Sequence, residues 1–183
     1  MKKSIIGCFL LVSVIAVYFS YSSSHSLKKS NSNEVVSGES YSSTVEPEKV
    51  YSEATFPNYS LKELKDKALF IVKGVPVQVT DEYMVEGDIP FTEYEFKVDK
   101  VYKGDKAIQS TAIKVLQDGN ELNEFIDHPL MELNKEYLLF LKKSSDGHLI
   151  MVGGPNGKFT YNSKSNKYES LNGITFDDPS QLP

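Results

Sequence analysis

Gly153-Gly154-Pro155-Asn156-Gly157-Lys158-Phe159-Thr160 sets glycines beside a lysine, as a phosphate-cradling loop does. That chemistry needs a Gly, four residues, then Gly-Lys followed by Ser or Thr. Counting back from Gly157 puts Val152 where the first glycine belongs, and Phe159 replaces the hydroxyl that would hold magnesium. The stretch therefore reads as a broad turn. A metal centre would draw on Asp127, His128, Glu132 and His148, but the chain has three His and one Cys, and no ligand spacing recurs. Asp118, Asn120 and Glu121 lack the spacing of an EF-hand calcium loop. Serine hydrolysis would need an exposed nucleophile, and no G-x-S-x-G elbow is present. The sequence thus assigns no catalytic residue, no metal ligand and no cofactor, and leaves the binding residues unknown. Tyr83, Phe91, Tyr94, Tyr102, Phe159 and Tyr161 offer either a stacking surface for a ligand or ordinary core packing.

Charge narrows the partners. The first thirty residues hold Lys2, Lys3, Lys28 and Lys29 and no acid, so the formal total of −5 leaves −9 for the remainder. A net acidic module is poorly suited to nucleic acid. Every basic residue is Lys, which removes the planar, bidentate recognition of phosphate and guanine that Arg provides.

The N-terminus has the order of a secretory signal: Lys2 and Lys3, an apolar run from Ile5 to Phe19, then Ser20 to Ser24. Residues 1–22 are expected to be a signal peptide or a retained membrane anchor, the only part of the chain that meets a membrane. Ile5-Ile6-Gly7-Cys8 resembles a bacterial lipobox, which makes Cys8 the candidate lipidation site. Cys8 is the sole cysteine, so the rest of the chain has neither disulfide nor thiol. Residues 23–54 are dominated by Ser, Glu and Asn without sustained periodicity and read as a disordered linker. Residues 55–183 carry the folding pattern and form the expected domain.

That domain is organised around Phe91 to Gly104. Tyr94, Phe96 and Val98 alternate with Glu93, Glu95, Lys97 and Asp99, as in a strand with one wet face. The apolar parity then shifts to Val101, which predicts a bulge near Asp99-Lys100. Ser60 with Glu63 forms a capping box, so a helix starts there and runs to Lys67 or Ala68, with Leu61, Leu64 and Ala68 on its buried face. Further strands are expected at Leu69–Val79, Ala112–Leu116, Tyr137–Leu141, His148–Val152, Lys158–Tyr161 and Lys167–Glu169. Thr80–Pro90 and Asn120–Asn134 read as loops. Tyr137–Leu141 is apolar on both faces and should be central. The pattern is mainly β (α+β): a small five- to six-stranded antiparallel OB-like barrel with one N-terminal helix.

Taken together, ALFIVKGVPVQV, YEFKVDKVYKG, KEYLLFLKK and MVGGPNGKF resemble a recurring exported domain of Gram-positive bacteria. The resemblance covers roughly Ser60 to Tyr161. It implies an OB-like barrel similar in outline to netrin-type and metalloproteinase-inhibitor domains, and it carries over no catalytic residue. The expected function is a non-enzymatic, extracytoplasmic binding or interaction module of the bacterial cell envelope, secreted or anchored by its N-terminus. Its partner would be an envelope glycan, peptide or protein. Two alternatives are a metal-dependent envelope hydrolase using Asp127, His128 and their neighbours, and an inhibitor of an extracellular protease, the latter by fold analogy alone.

Overall fold

A computed structural model describes residues 48–85 and 89–182. The expected leader, Cys8 and most of the expected linker lie outside the described residues. In chain order the elements are β1 (Val50–Ser52), α1 (Leu61–Lys67), β2 (Phe70–Val85), β3 (Ile89–Lys103), β4 (Ala112–Asp118), β5 (Asn123–Phe125), β6 (Tyr137–Lys143), β7 (Leu149–Met151), β8 (Lys158–Asn162), β9 (Lys167–Ser170) and β10 (Thr175–Phe176). Among the described residues the fold is mainly β with one α-helix.

Eight strands form one sheet in the order β10-β9-β8-β6-β2-β3-β4-β7. β7 also pairs with β6, so β6, β2, β3, β4 and β7 make a ring of five strands. The pairs are antiparallel except β4–β7, where Val115 and Leu116 run parallel to Leu149 and Ile150. β8, β9 and β10 extend the sheet outward from β6. β1 and β5 form a separate parallel pair, from Val50 against Asn123 to Ser52 against Phe125. β1 lies within residues 23–54, so regular structure begins upstream of the boundary expected at residue 55.

β3 alternates as its sequence implies, with Tyr94, Phe96 and Val98 buried and Lys97 and Asp99 exposed. Glu93 is the exception: it is 7% exposed, met by Lys114 Nζ at 2.6 Å and by the Thr80 hydroxyl at 2.7 Å. The bulge is where the parity shift puts it. Gly74 faces Val98 and Lys73 faces Lys100, leaving Asp99 as the extra residue. A Cβ at Gly74 would overlap the Lys97 carbonyl oxygen, so only glycine allows the two backbones this close.

Thr80–Pro90, expected to be a loop, is instead mostly strand. Asp81, Glu82, Tyr83 and Met84 pair with Glu93, Thr92, Phe91 and Pro90. Acidic, polar composition hid this extension, because cross-strand pairing rather than propensity holds it together. β5 likewise lies inside a segment expected to be loop.

Two core clusters meet at the shared strands. Val72, Leu139 and Leu141 join Tyr94, Phe96, Val98, Val115 and Met151 in a cluster to which all five ring strands contribute. Ile71, Leu138 and Phe140, on the opposite faces of β2 and β6, join Leu64, Ala68, Phe159 and Tyr168 beneath α1 and the outer strands. Central placement between two cores explains why Tyr137–Leu141 is apolar on both faces. α1 starts at the expected capping box: the Glu63 N–H donates to Ser60 Oγ at 3.3 Å, and the Ser60 N–H donates to Glu63 Oε2 at 2.8 Å.

Candidate functional site

Two adjoining cavities share walls made by segments distant in sequence. One, of about 440 Å³, is lined by residues that include Phe56, Asn58, Ile126, Asp127, Asn156 and Leu171. The other, of about 250 Å³, is lined by residues that include Pro129, Glu132, Lys158, Thr160, Glu169 and Leu171. Leu171 lines both, so the two cavities adjoin at that side chain as the two parts of a cleft. Segment 126–132 makes one wall and segment 169–172 the other. The floor follows from strand periodicity: Phe159 is fully buried in the second core cluster, and Lys158 and Thr160 on either side of it face the cleft.

The first cavity is preorganised by side-chain amides. Asn156 is buried, accepts from the Tyr59 N–H at 3.3 Å and donates to the Gly153 carbonyl at 3.1 Å. Asn172 donates to both Asn156 Oδ1 and Asn58 Oδ1, the latter at 3.2 Å. Ile126 and Leu171 stand at the rim, 56% and 60% exposed. These are the apolar contacts that the cleft offers a ligand. Phe56 packs edge-on against Phe125 and His128 and sits over Gly154, where a Cβ would strike its ring. Gly154 has φ +58°, so the turn suits glycine both sterically and conformationally.

In the second cavity, Lys158 is 6% exposed and donates from Nζ to the Pro129 carbonyl. That carbonyl also accepts from Gln117 Nε2 at 2.9 Å, and Gln117 is itself fully buried. Burial brings the Lys158 ammonium down to about 7, because little nearby offsets the lost hydration. The two acids lining the cavity are already engaged. Glu132 pairs with Lys135 at 2.6 Å, while Glu169 accepts from Ser165 Oγ at 2.6 Å and Asn162 Nδ2 at 2.9 Å.

The residues considered for a metal are not brought together. Asp127 lines the first cavity and Glu132 the second. His128 is fully buried behind the wall, with Nδ1 3.6 Å from Asp118 Oδ2, too long for a hydrogen bond. Desolvation lowers its pKa, which favours the neutral ring. His148 lies beside Asp146, at 3.0 Å, next to β7. No cluster of three or more His, Cys, Asp or Glu suited to a metal occurs among the described residues. The glycine-rich turn is a short 3-10 helix, Gly154–Gly157, running into β8.

The six aromatic candidates separate. Tyr94 and Phe159 are core, Tyr83 stacks on Phe91 with ring centroids 6.3 Å apart, Tyr102 packs against the second cluster, and exposed Tyr161 lies 5.4 Å from Tyr168. Lys158 escaped sequence reasoning except as the lysine of a failed phosphate motif. Its one signal was a charge at the first position of the expected strand, directly before apolar Phe159. No helix among the described residues is long and apolar enough to cross a membrane. No protein-family model matches the chain, and no curated protein matches it.

Proposed function

We propose that this protein is an extracytoplasmic, non-enzymatic binding module of the bacterial cell envelope, and that its ligand enters the two-part cleft. The observation that carries the reading is the cleft itself. It is a fixed concavity with exposed aliphatic side chains at its rim and polar groups converging on its floor. The ring of five strands is read as a small OB-like barrel, with β8 to β10 as an added flap that supplies one wall. Residues 1–22 export or anchor the chain, and the following segment holds the folded part off the membrane. The likeness of the strand motifs to an exported domain of Gram-positive bacteria supports that location.

Thermal unfolding of the full chain against wall glycans, short peptides, anionic lipids and divalent metals tests the reading. A ligand at 100 times its Kd should add ~2.7 kcal/mol, an upward shift of several degrees. The expected responders are a glycan or a peptide, with the shift lost in Ile126→Asp or Leu171→Asp. A response to calcium or zinc alone, or one insensitive to both substitutions, would sink this reading.

A further inference from the structure

Lys158 is a buried amine without a direct ion-pair partner, and Glu124 and Asp118 act on it only from longer range. Among the described residues no carboxylate lies within ion-pair distance of its ammonium, and its hydrogen bond goes to the Pro129 carbonyl, which Gln117 already satisfies. The two acids that line the same cavity, Glu132 and Glu169, are committed elsewhere, to Lys135 and to Ser165 and Asn162. The Thr160 hydroxyl, two residues along on the same strand face, has no side-chain hydrogen bond among the described residues. An ammonium and a hydroxyl therefore border one cavity of about 250 Å³ with donors to spare. A carboxylate is what they lack. It would restore the solvation the lysine lost on burial, through charge-assisted bonds that exceed neutral ones in strength.

The rest of the cleft sets the shape of the molecule carrying that carboxylate. From Thr160 back to Asn156 the chain runs down the start of β8 and into the 3-10 turn, ~10 Å. That span matches about three residues of an extended peptide. The first cavity continues from it past Leu171, with Ile126 and Leu171 exposed for apolar side chains and amides along its floor. No open aromatic face serves as a sugar platform there, because Phe56 is half-buried and packed edge-on against Phe125 and His128. We infer that the cleft captures the free C-terminal end of an extended peptide, with Lys158 and Thr160 holding the terminal carboxylate and the last few residues running past Leu171 towards Ile126. This rests on the binding-module reading and names its ligand class.

The test uses the immobilised full chain. It is incubated with an equal mixture of two randomised tetrapeptide libraries, one ending in a free carboxylate and the other, isotopically marked, ending in an amide. Mass spectrometry then counts what is retained. Free-acid peptides should be enriched at least tenfold over amides, as loss of a charge-assisted bond predicts. Lys158→Met should abolish the preference. Thr160→Val, a near-isosteric change at a half-buried site, should weaken it severalfold and serves if the first variant folds poorly. Equal retention of both libraries, or an unchanged preference in Lys158→Met, would overturn the carboxylate anchor. If that equal retention were still lost in Leu171→Asp, the cleft would remain a binding site and only the anchor would fall. Retention of neither library would overturn the peptide reading as well, and a thermal shift with glycan would then keep the module but change its ligand.

Discussion

At the scale of the residue, Lys158 shows how one buried side chain couples stability to pH. In the unfolded chain its amine holds a proton up to its ordinary value of 10.5, and in the fold only to about 7. Between those values the unfolded chain binds the extra proton, so stability rises with pH across the window, and the full penalty stands below pH 7. Above about pH 10 buried Tyr94 acts in the opposite sense, because burial keeps its phenol protonated in the fold. Lys158→Met keeps most of the aliphatic stem and leaves the Pro129 carbonyl its bond from Gln117. It should raise the Tm by several degrees at pH 6.5, with the advantage shrinking by pH 9.5. Thermal unfolding at the two pH values reads this directly. An advantage of the same size at both would mean that the charge is not what destabilises the native state. Glu93 is the contrast: equally buried, but paired with Lys114 and held below its usual range chiefly by that bond.

At the scale of the element, the β2–β3 hairpin is shaped by its irregularities. Register shifts between Ile71 and Val72, Lys73 and Gly74, Pro76 and Gln78, and Val79 and Asp81 let two strands of 16 and 15 residues bend through the ring. Gly74 is where the backbones come closest. Gly74→Ala should cost at least ~3 kcal/mol, as overpacking against backbone that has no room to yield. Urea unfolding measures it, and a loss under 1 kcal/mol would show that the strands separate easily. The same hairpin marks where sequence is informative and where it is not. The capping box at Ser60, the alternation of Tyr94, Phe96 and Val98, and the bulge at Asp99 are local rules written in adjacent residues. The outer hairpin, Thr80 to Pro90, and the short β5 depend on partners elsewhere, such as Tyr83 across from Phe91 and Val50 beside Asn123. Their own composition resembles a loop.

At the scale of the whole molecule, two cores share two strands. Leu139 serves the ring cluster and Phe140, its neighbour on β6, serves the cluster under α1. Melting either core would strip one face of β6 of its packing. Leu139→Ala and Phe140→Ala should each cost ~2–5 kcal/mol. Both should keep a single transition, with far-UV circular dichroism and tyrosine fluorescence coinciding. Separate transitions would mean that the cores fold independently. The cleft is a property of this same scale, which is why it was hidden. Its walls come from residues 54–58, 126–132, 155–160 and 169–172, brought together by β6–β8–β9 pairing, by the approach of Phe56 to Gly154 and by long-range bonds such as Asn172 to Asn58 and Lys158 to Pro129.

The N-terminal side of the folded region runs beside β5 before it reaches the first cavity. Lys49 forms an ion pair with Glu124, Val50–Ser52 lies beside β5, Phe56 seats on the turn, and only then does the chain reach Ser60 and α1. A mechanical load transmitted along the chain from that side would therefore meet a three-residue parallel pair and one aromatic plug before it met the ring. The first thing to yield under tension would be that short pair and the next the Phe56 wall of the first cavity, so pulling from the N-terminal side would loosen that enclosure before it disturbed the ring.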